Sequence, residues 1–191
     1  MLTVAVAATS ASTVIVTRSL AMVITLWLPH DTRDNVWEPV MIVLIAGAGP
    51  TGLTLACELA RRGVACRVVD KAPGLFAGSR GKGLTSRTQE VFDDLGVSGA
   101  VLAGGMPFPK FRMYAGHSVV SERTLAEMLG TEALRRSAAV PYPGVWLIPQ
   151  WRTDKILADR LVALGGRVEF DTELTGFTQD DTGVTATLVH N

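Results

Sequence analysis

Two short, mainly apolar runs frame the most strongly patterned part of the chain. Residues 41–46 (MIVLIA) and 64–69 (VACRVV) have strand length and β-branched character, without the alternation of a strand that has one face in water. Such runs predict strands of a parallel sheet buried on both faces. Between them stands Gly47-Ala48-Gly49-Pro50-Thr51-Gly52, after which the chain turns helical. Gly63 follows Arg61-Arg62 at a position suited to a helix C′ residue. The second run ends on an acid, Asp70. Strand, glycine turn, helix, strand and terminal acid, in that order, form a dinucleotide-binding βαβ unit.

Each position has a physical reason. Gly47 permits the tight turn off the strand. Gly49 lets a pyrophosphate approach the backbone, and Gly52 lets the helix lie close on the strand. The N-terminus of the helix offers N–H groups and the positive end of its dipole to phosphates. Asp70 is placed to accept hydrogen bonds from ribose hydroxyls. An acid there suits the ribose of NAD(P) or of FAD, so this unit alone leaves the dinucleotide open.

The pattern is looser downstream. Lys71-Ala72-Pro73-Gly74 is a turn, and residues 75–84 are a glycine-rich loop carrying Arg80 and Lys82. Residues 86–96 predict a helix with Val91, Phe92 and Leu95 on its apolar face, Ser86 as N-cap with Gln89 three residues on, and Gly96 as its stop. Residues 99–109 read as loop and 110–115 as a strand, with Phe111 and Met113 on one face. Val119-Val120 is a strand fragment, 124–136 is ambiguous with room for a short helix, and 145–148 is a short strand. Pro149-Gln150 opens a helix with Ile156, Leu157, Leu161 and Leu164 at helical spacing, ended by Gly165-Gly166. Residues 167–170, 173–179 and 184–189 are strands, the last two forming a hairpin around Asp180-Asp181-Thr182-Gly183.

Composition narrows the reading. The chain has 191 residues, is 48% apolar and carries 18 basic and 18 acidic residues, so nothing in its charge points to nucleic acid. Cys57 and Cys66 lie on the predicted helix and second strand without metal spacing, as free thiols of a cytoplasmic protein would. The three histidines are scattered, so no metal centre and no catalytic nucleophile constellation can be assembled. Residues 1–28 are apolar and long enough to span a bilayer. Arg18 interrupts them, at a cost of about 2.5–3.5 kcal/mol at a bilayer centre. Residues 1–40 are therefore expected to be an extension outside the fold, with a membrane anchor as the second reading, and residues 41–191 to be the dinucleotide-binding domain.

The stretch after Asp70 separates the two dinucleotides. A plain NAD(P)-binding Rossmann reductase would continue with another strand–helix repeat within a few residues. The chain has instead a long Gly/Arg loop, a helix, and only much later the helix opened by Pro149-Gln150 and a hairpin. That order favours FAD.

The segments VLIAGAGPTGLTLACELARRG, VVDKAPG, SRGKGLTSRTQEVFDDLG, YPGVWLIPQWRTDKILADRL and GGRVEFDTELTGFTQDDTGVTATL together resemble the FAD-dependent aromatic monooxygenases of the para-hydroxybenzoate hydroxylase type, particularly their aromatic polyketide hydroxylase branch. The resemblance runs from Met41 to about Val189. It implies an α/β, Rossmann-like FAD-binding fold, built on the GxGxxG βαβ unit, with the start of a β-meander and truncated before completion. By the same resemblance Gly47, Gly49, Pro50, Thr51 and Gly52 would hold the pyrophosphate, and Asp70 with Lys71 the adenosine ribose. Arg80 would contact the flavin nucleotide, and Gln150 would face the flavin with an amide that both donates and accepts. Arg87 is read as structural. Members of the family reduce FAD with NADPH and hydroxylate small phenolic or polycyclic substrates, chemistry that needs no side-chain nucleophile. The family's later Asp-Gly and Gly-Asp flavin motifs fall outside the chain, so a catalytically inactive remnant stands as an alternative.

Overall fold

The computed structural model describes residues 2–4, 14–16, 22–29, 39–130, 137–180 and 183–190. They divide into two compact units, residues 1–77 with 153–191, and residues 78–152.

The first unit is built on a five-stranded sheet ordered β11-β5-β4-β3-β2. Its strands are β2 (Val14–Val16), β3 (Met22–Pro29), β4 (Pro39–Ala46), β5 (Cys66–Val69) and β11 (Val168–Glu169). β4 and β5 run parallel, with Val43 opposite Cys66 and Ala46 opposite Val69. Helix α1 (Pro50–Ala60) makes the crossover between them. The unbroken apolar character of β4 is explained by burial of successive side chains, Val43, Leu44 and Ile45, as a strand covered on both faces requires. Leu53, Ala56 and Cys57 form the buried face of α1. The Cys57 thiol donates to the Leu157 carbonyl of α5 (Gln150–Ala163) at 3.4 Å, which brings the two helices together. Leu157 and Leu161, at helical spacing, are fully buried.

β11 extends the parallel sheet beyond β5, pairing Val168 with Val68. On the opposite edge β3 pairs antiparallel with β4 over its whole length, from Met22 opposite Ala46 to Pro29 opposite Pro39. A second sheet is ordered β1-β13-β12, from β1 (Leu2–Val4), β12 (Thr172–Asp180) and β13 (Gly183–His190). The expected hairpin is thus present; Asp181 and Thr182 of its turn lie outside the described residues.

The second unit holds β6 (Gly83–Leu84), α2 (Ser86–Asp94), α3 (Ser98–Gly104), β7 (Met106–Pro107), the hairpin β8 (Phe111–Ala115) and β9 (Ser118–Arg123), α4 (Leu125–Met128) and β10 (Trp146–Leu147). A small sheet is ordered β6-β10-β7. Phe92, Leu95, Val97, Val101 and Ile148 are buried.

Three local expectations change. The N-cap of α2 is Thr85, one residue earlier than the expected Ser86, and it makes no side-chain capping bond. Gln89 is buried and spends its amide donor on the carbonyls of Leu84 and Gly144, at 3.1 and 2.8 Å, so it is a bracket between loops and not half of a capping box. Residues 99–104, the first part of the stretch 99–109 expected as loop, fall in α3; its Gly- and Ala-rich sequence carries too few apolar side chains to show a helical period, and the burial of Val101 anchors it. In the ambiguous stretch, α4 is started by a complete capping box between Thr124 and Glu127, and residues 131–136 lie outside the described residues. Gly63 and Gly96 both take positive φ, +72° in each case, and end α1 and α2 as the sequence indicated.

Candidate functional site

The turn from β4 into α1 is shaped by its glycines in three different ways. Gly47 has φ +114°, which side chains rarely adopt, and its N–H is held by the Val69 carbonyl at 2.8 Å. A Cβ at Gly52 would overlap the Gly47 carbonyl oxygen and approach Ile45 Cγ2 at 3.2 Å, so Gly52 is a packing glycine. A Cβ at Gly49 would meet nothing within 4 Å, and its φ of −81° is open to any residue. Among the described residues, neither strain nor packing demands glycine there. Gly49 is also the N-cap of α1; no side chain caps this end, Pro50 follows at once, and the first turn holds no acid. An uncapped helix N-terminus beside open space is the arrangement that accepts a phosphate.

Asp70 stands at the tip of β5, across from this turn. Its Oδ2 accepts the Ala48 N–H at 2.7 Å and its Oδ1 accepts the Ala72 N–H at 2.9 Å. The backbone of Asp70 is fixed as well: its N–H donates to the Glu169 carbonyl and its carbonyl accepts from Thr172, both at 2.9 Å. The acid expected to meet a ribose therefore also ties the glycine turn to β5. Each carboxylate oxygen carries two acceptor positions, so one bond per oxygen leaves acceptor capacity for hydroxyls. Lys71 is exposed and lies 3.7 Å from Glu173 across a solvated pair. Beneath them Arg67 grips Glu169 through two bonds of 2.9 and 2.7 Å, joining β5 to β11. The Arg67 guanidinium holds the Glu169 carboxyl below its ordinary range.

Arg80 and Gln150, seventy residues apart, are brought together in the second unit. Gln150 Oε1 accepts the Arg80 main-chain N–H at 3.1 Å. The Gln150 N–H in turn donates to Ser79 Oγ at 3.1 Å, and that hydroxyl donates to the Gly81 carbonyl at 3.0 Å. The acceptor end of the Gln150 amide is thus directed at the Arg80 backbone, which fixes which way the donor end points. Sequence reasoning missed Ser79, because a lone serine in a glycine-rich loop carries no pattern. Arg87 forms an exposed pair with Glu90 at 2.9 Å.

Burial pushes the Cys57 thiol up to about 11 and raises Cys66 as well, so both are poor nucleophiles. Among the described residues no group of His, Cys, Asp and Glu is arranged to hold a metal ion.

A parallel βαβ unit with an open glycine turn, set in a mixed α/β fold, defines a protein of the nucleotide-binding class. The chain belongs to the FAD binding domain family, which it matches over residues 41–191. That match decides between the two dinucleotides in favour of FAD. A flavin-dependent monooxygenase of Mycobacteroides abscessus is 68% identical over 139 residues, covering 73% of this chain and 29% of that protein. The 6-methylpretetramide 4-monooxygenase of Streptomyces rimosus is 39% identical over 133 residues, 69% of this chain and 22% of that one. Among solved structures, aklavinone-11 hydroxylase in complex with FAD and aklavinone aligns with a TM-score of 0.62 at 30% identity, covering 77% of this chain and 29% of that chain. The chain therefore spans under a third of the length of each of these three proteins.

Proposed function

We propose that the chain is the FAD-binding portion of an NADPH-dependent flavin monooxygenase that hydroxylates a small aromatic or polyketide substrate. The uncapped, unobstructed N-terminus of α1 at Gly49 carries this reading, because FAD's pyrophosphate is the group such an end accepts. The relatives named above support the reaction class, since both curated ones are monooxygenases.

In this reading the main chain of Gly47, Gly49, Pro50, Thr51 and Gly52 lines the pyrophosphate, with the N–H groups of the first turn of α1 as donors. Asp70 accepts from the adenosine ribose, and Lys71 adds positive charge nearby. Arg80 and Gln150 address the flavin nucleotide. FAD, once reduced by NADPH, supplies the oxygen-activating chemistry by which one atom of O2 enters an aromatic ring. The chain's own residues bind and orient; none acts as nucleophile. The GxGxxG Rossmann unit is the core of this domain, and residues 41–191 contain all of its proposed cofactor contacts. A cytoplasmic location accords with the two free cysteines; among the described residues no helix is long and apolar enough to cross a membrane.

Purification of the chain and titration with FAD test the proposal. We expect a flavin absorbance spectrum that stays with the protein on gel filtration, or saturable quenching of flavin fluorescence. A colourless protein indifferent to added FAD would refute it.

A further inference from the structure

We propose that Ser79 is a positioning residue for FAD: its hydroxyl locks the glycine-rich loop against the start of α5 and so sets the orientation of Arg80 and Gln150. The inference rests on the FAD-binding reading above and adds to it a residue that the binding motifs do not name.

Four hydrogen bonds define the lock. Ser79 Oγ accepts the Gln150 N–H and donates to the Gly81 carbonyl, at 3.1 and 3.0 Å. Gln150 Oε1 accepts the Arg80 N–H at 3.1 Å, and the Ile148 N–H donates to the Lys82 carbonyl at 2.8 Å. A hydroxyl is the only small side-chain group that can accept and donate at once in this way. The Gln150 N–H belongs to the first turn of a helix, where backbone donors have no partner within the helix. Ser79 meets that need from 71 positions away and shapes its own loop with the same oxygen.

The loop contains Gly78, Gly81 and Gly83, so without fixed points it would sample many conformations. A ligand that selects one of them binds more weakly by the fraction of time the loop spends in it. Ser79 is exposed, so water replaces both of its bonds when the hydroxyl is removed. Folding then loses little, whereas the preorganisation of Arg80 and Gln150 is lost. Affinity for the cofactor, and not stability, is the quantity that Ser79 controls.

The test compares the full chain with Ser79→Ala and Ser79→Thr by FAD titration, apo-protein melting, and circular dichroism of the bound flavin. We expect Ser79→Ala to raise the FAD Kd roughly tenfold, corresponding to about 1.4 kcal/mol, and to alter the flavin dichroism while the apo melting temperature holds. Ser79→Thr, which keeps the hydroxyl, should restore most of the affinity. An unchanged Kd in Ser79→Ala, or a loss of affinity matched by a fall in apo melting temperature, overturns the positioning role alone. Failure of the unsubstituted chain to bind FAD overturns the parent reading and this one together.

Discussion

Asp70 Oδ2 accepts the N–H of Ala48 at 2.7 Å, closing the glycine turn onto the tip of β5 across 22 residues. The same carboxylate accepts the Ala72 N–H through its other oxygen. Because an ionised acceptor strengthens each bond, Asp70→Ala should cost about 2–3 kcal/mol in unfolding free energy, leaving two backbone donors to be met by water. Asp70→Asn retains one acceptor oxygen and should cost about half as much. Urea denaturation checks both. A cost below about 0.5 kcal/mol for the alanine variant would show that the carboxylate does not hold the turn.

The glycines of the turn separate fold from ligand. Gly49→Ala introduces a methyl group into open space at an ordinary φ, so its stability should stay within about 1 kcal/mol of the parent chain. The same methyl group would stand where the pyrophosphate approaches, and FAD affinity should fall at least about tenfold. Gly52→Ala forces a Cβ into the Gly47 carbonyl and should destabilise the chain on the order of 3 kcal/mol even without cofactor. Melting curves of the apo proteins and FAD titrations together give the comparison. A Gly49→Ala variant with unaltered FAD affinity would remove the pyrophosphate from this turn.

The βαβ unit could be read from the chain because each of its features is local. The apolar runs give the strands, Gly63 gives the helix stop, and Asp70 follows the second strand directly. Local pattern also marked the closing hairpin and the helix containing Leu157 and Leu161. Contacts made at a distance left no such trace. Gln89 looked like a helix-capping residue, yet it reaches the Gly144 carbonyl 55 residues away. Ser79 bonds the start of α5, and only folding brings those residues together. α3 escaped because alanine and glycine give no periodic contrast. The place of Asp70 after the strand suggested a ribose acceptor; its bond to Ala48 left no such local trace, because it depends on the parallel pairing of β4 and β5.

Arg67 and Glu169 join β5 to β11 beneath Asp70, and their pairing makes stability depend on pH. Arg67 lowers the folded-state pKa of Glu169 below its ordinary value of 4.5. A carboxyl whose folded pKa is lowered stabilises the chain above its unfolded pKa and loses that contribution as pH falls through the folded pKa. Glu169→Gln should therefore destabilise the protein at pH 7, by about 1 kcal/mol for a pair this well aligned but still partly solvated. The difference between the two proteins should shrink as pH falls below the ordinary carboxylate range and the folded-state carboxyl is protonated in turn. Urea midpoints followed from pH 7 down through the acid range decide the matter; a difference that never shrinks would mean the ion pair contributes nothing to stability.

β3 covers the outer edge of β4 with eight paired residues, whereas every proposed cofactor contact lies between Gly47 and Gln150. Covering a sheet edge and binding a dinucleotide are separable tasks. A chain begun at Met41 should keep its FAD affinity within about twofold, since the uncapped end of α1, Asp70 and the Ser79 lock remain. It should also expose the edge of β4, whose unpaired N–H and C=O groups invite pairing with another copy. We expect sedimentation velocity to show concentration-dependent self-association that the full chain lacks. Retained affinity with increased self-association would assign residues 1–40 to edge protection and residues 41–191 to the cofactor. Loss of FAD binding by a folded, monomeric chain from Met41 would place part of the cofactor site in residues 1–40 and overturn that division.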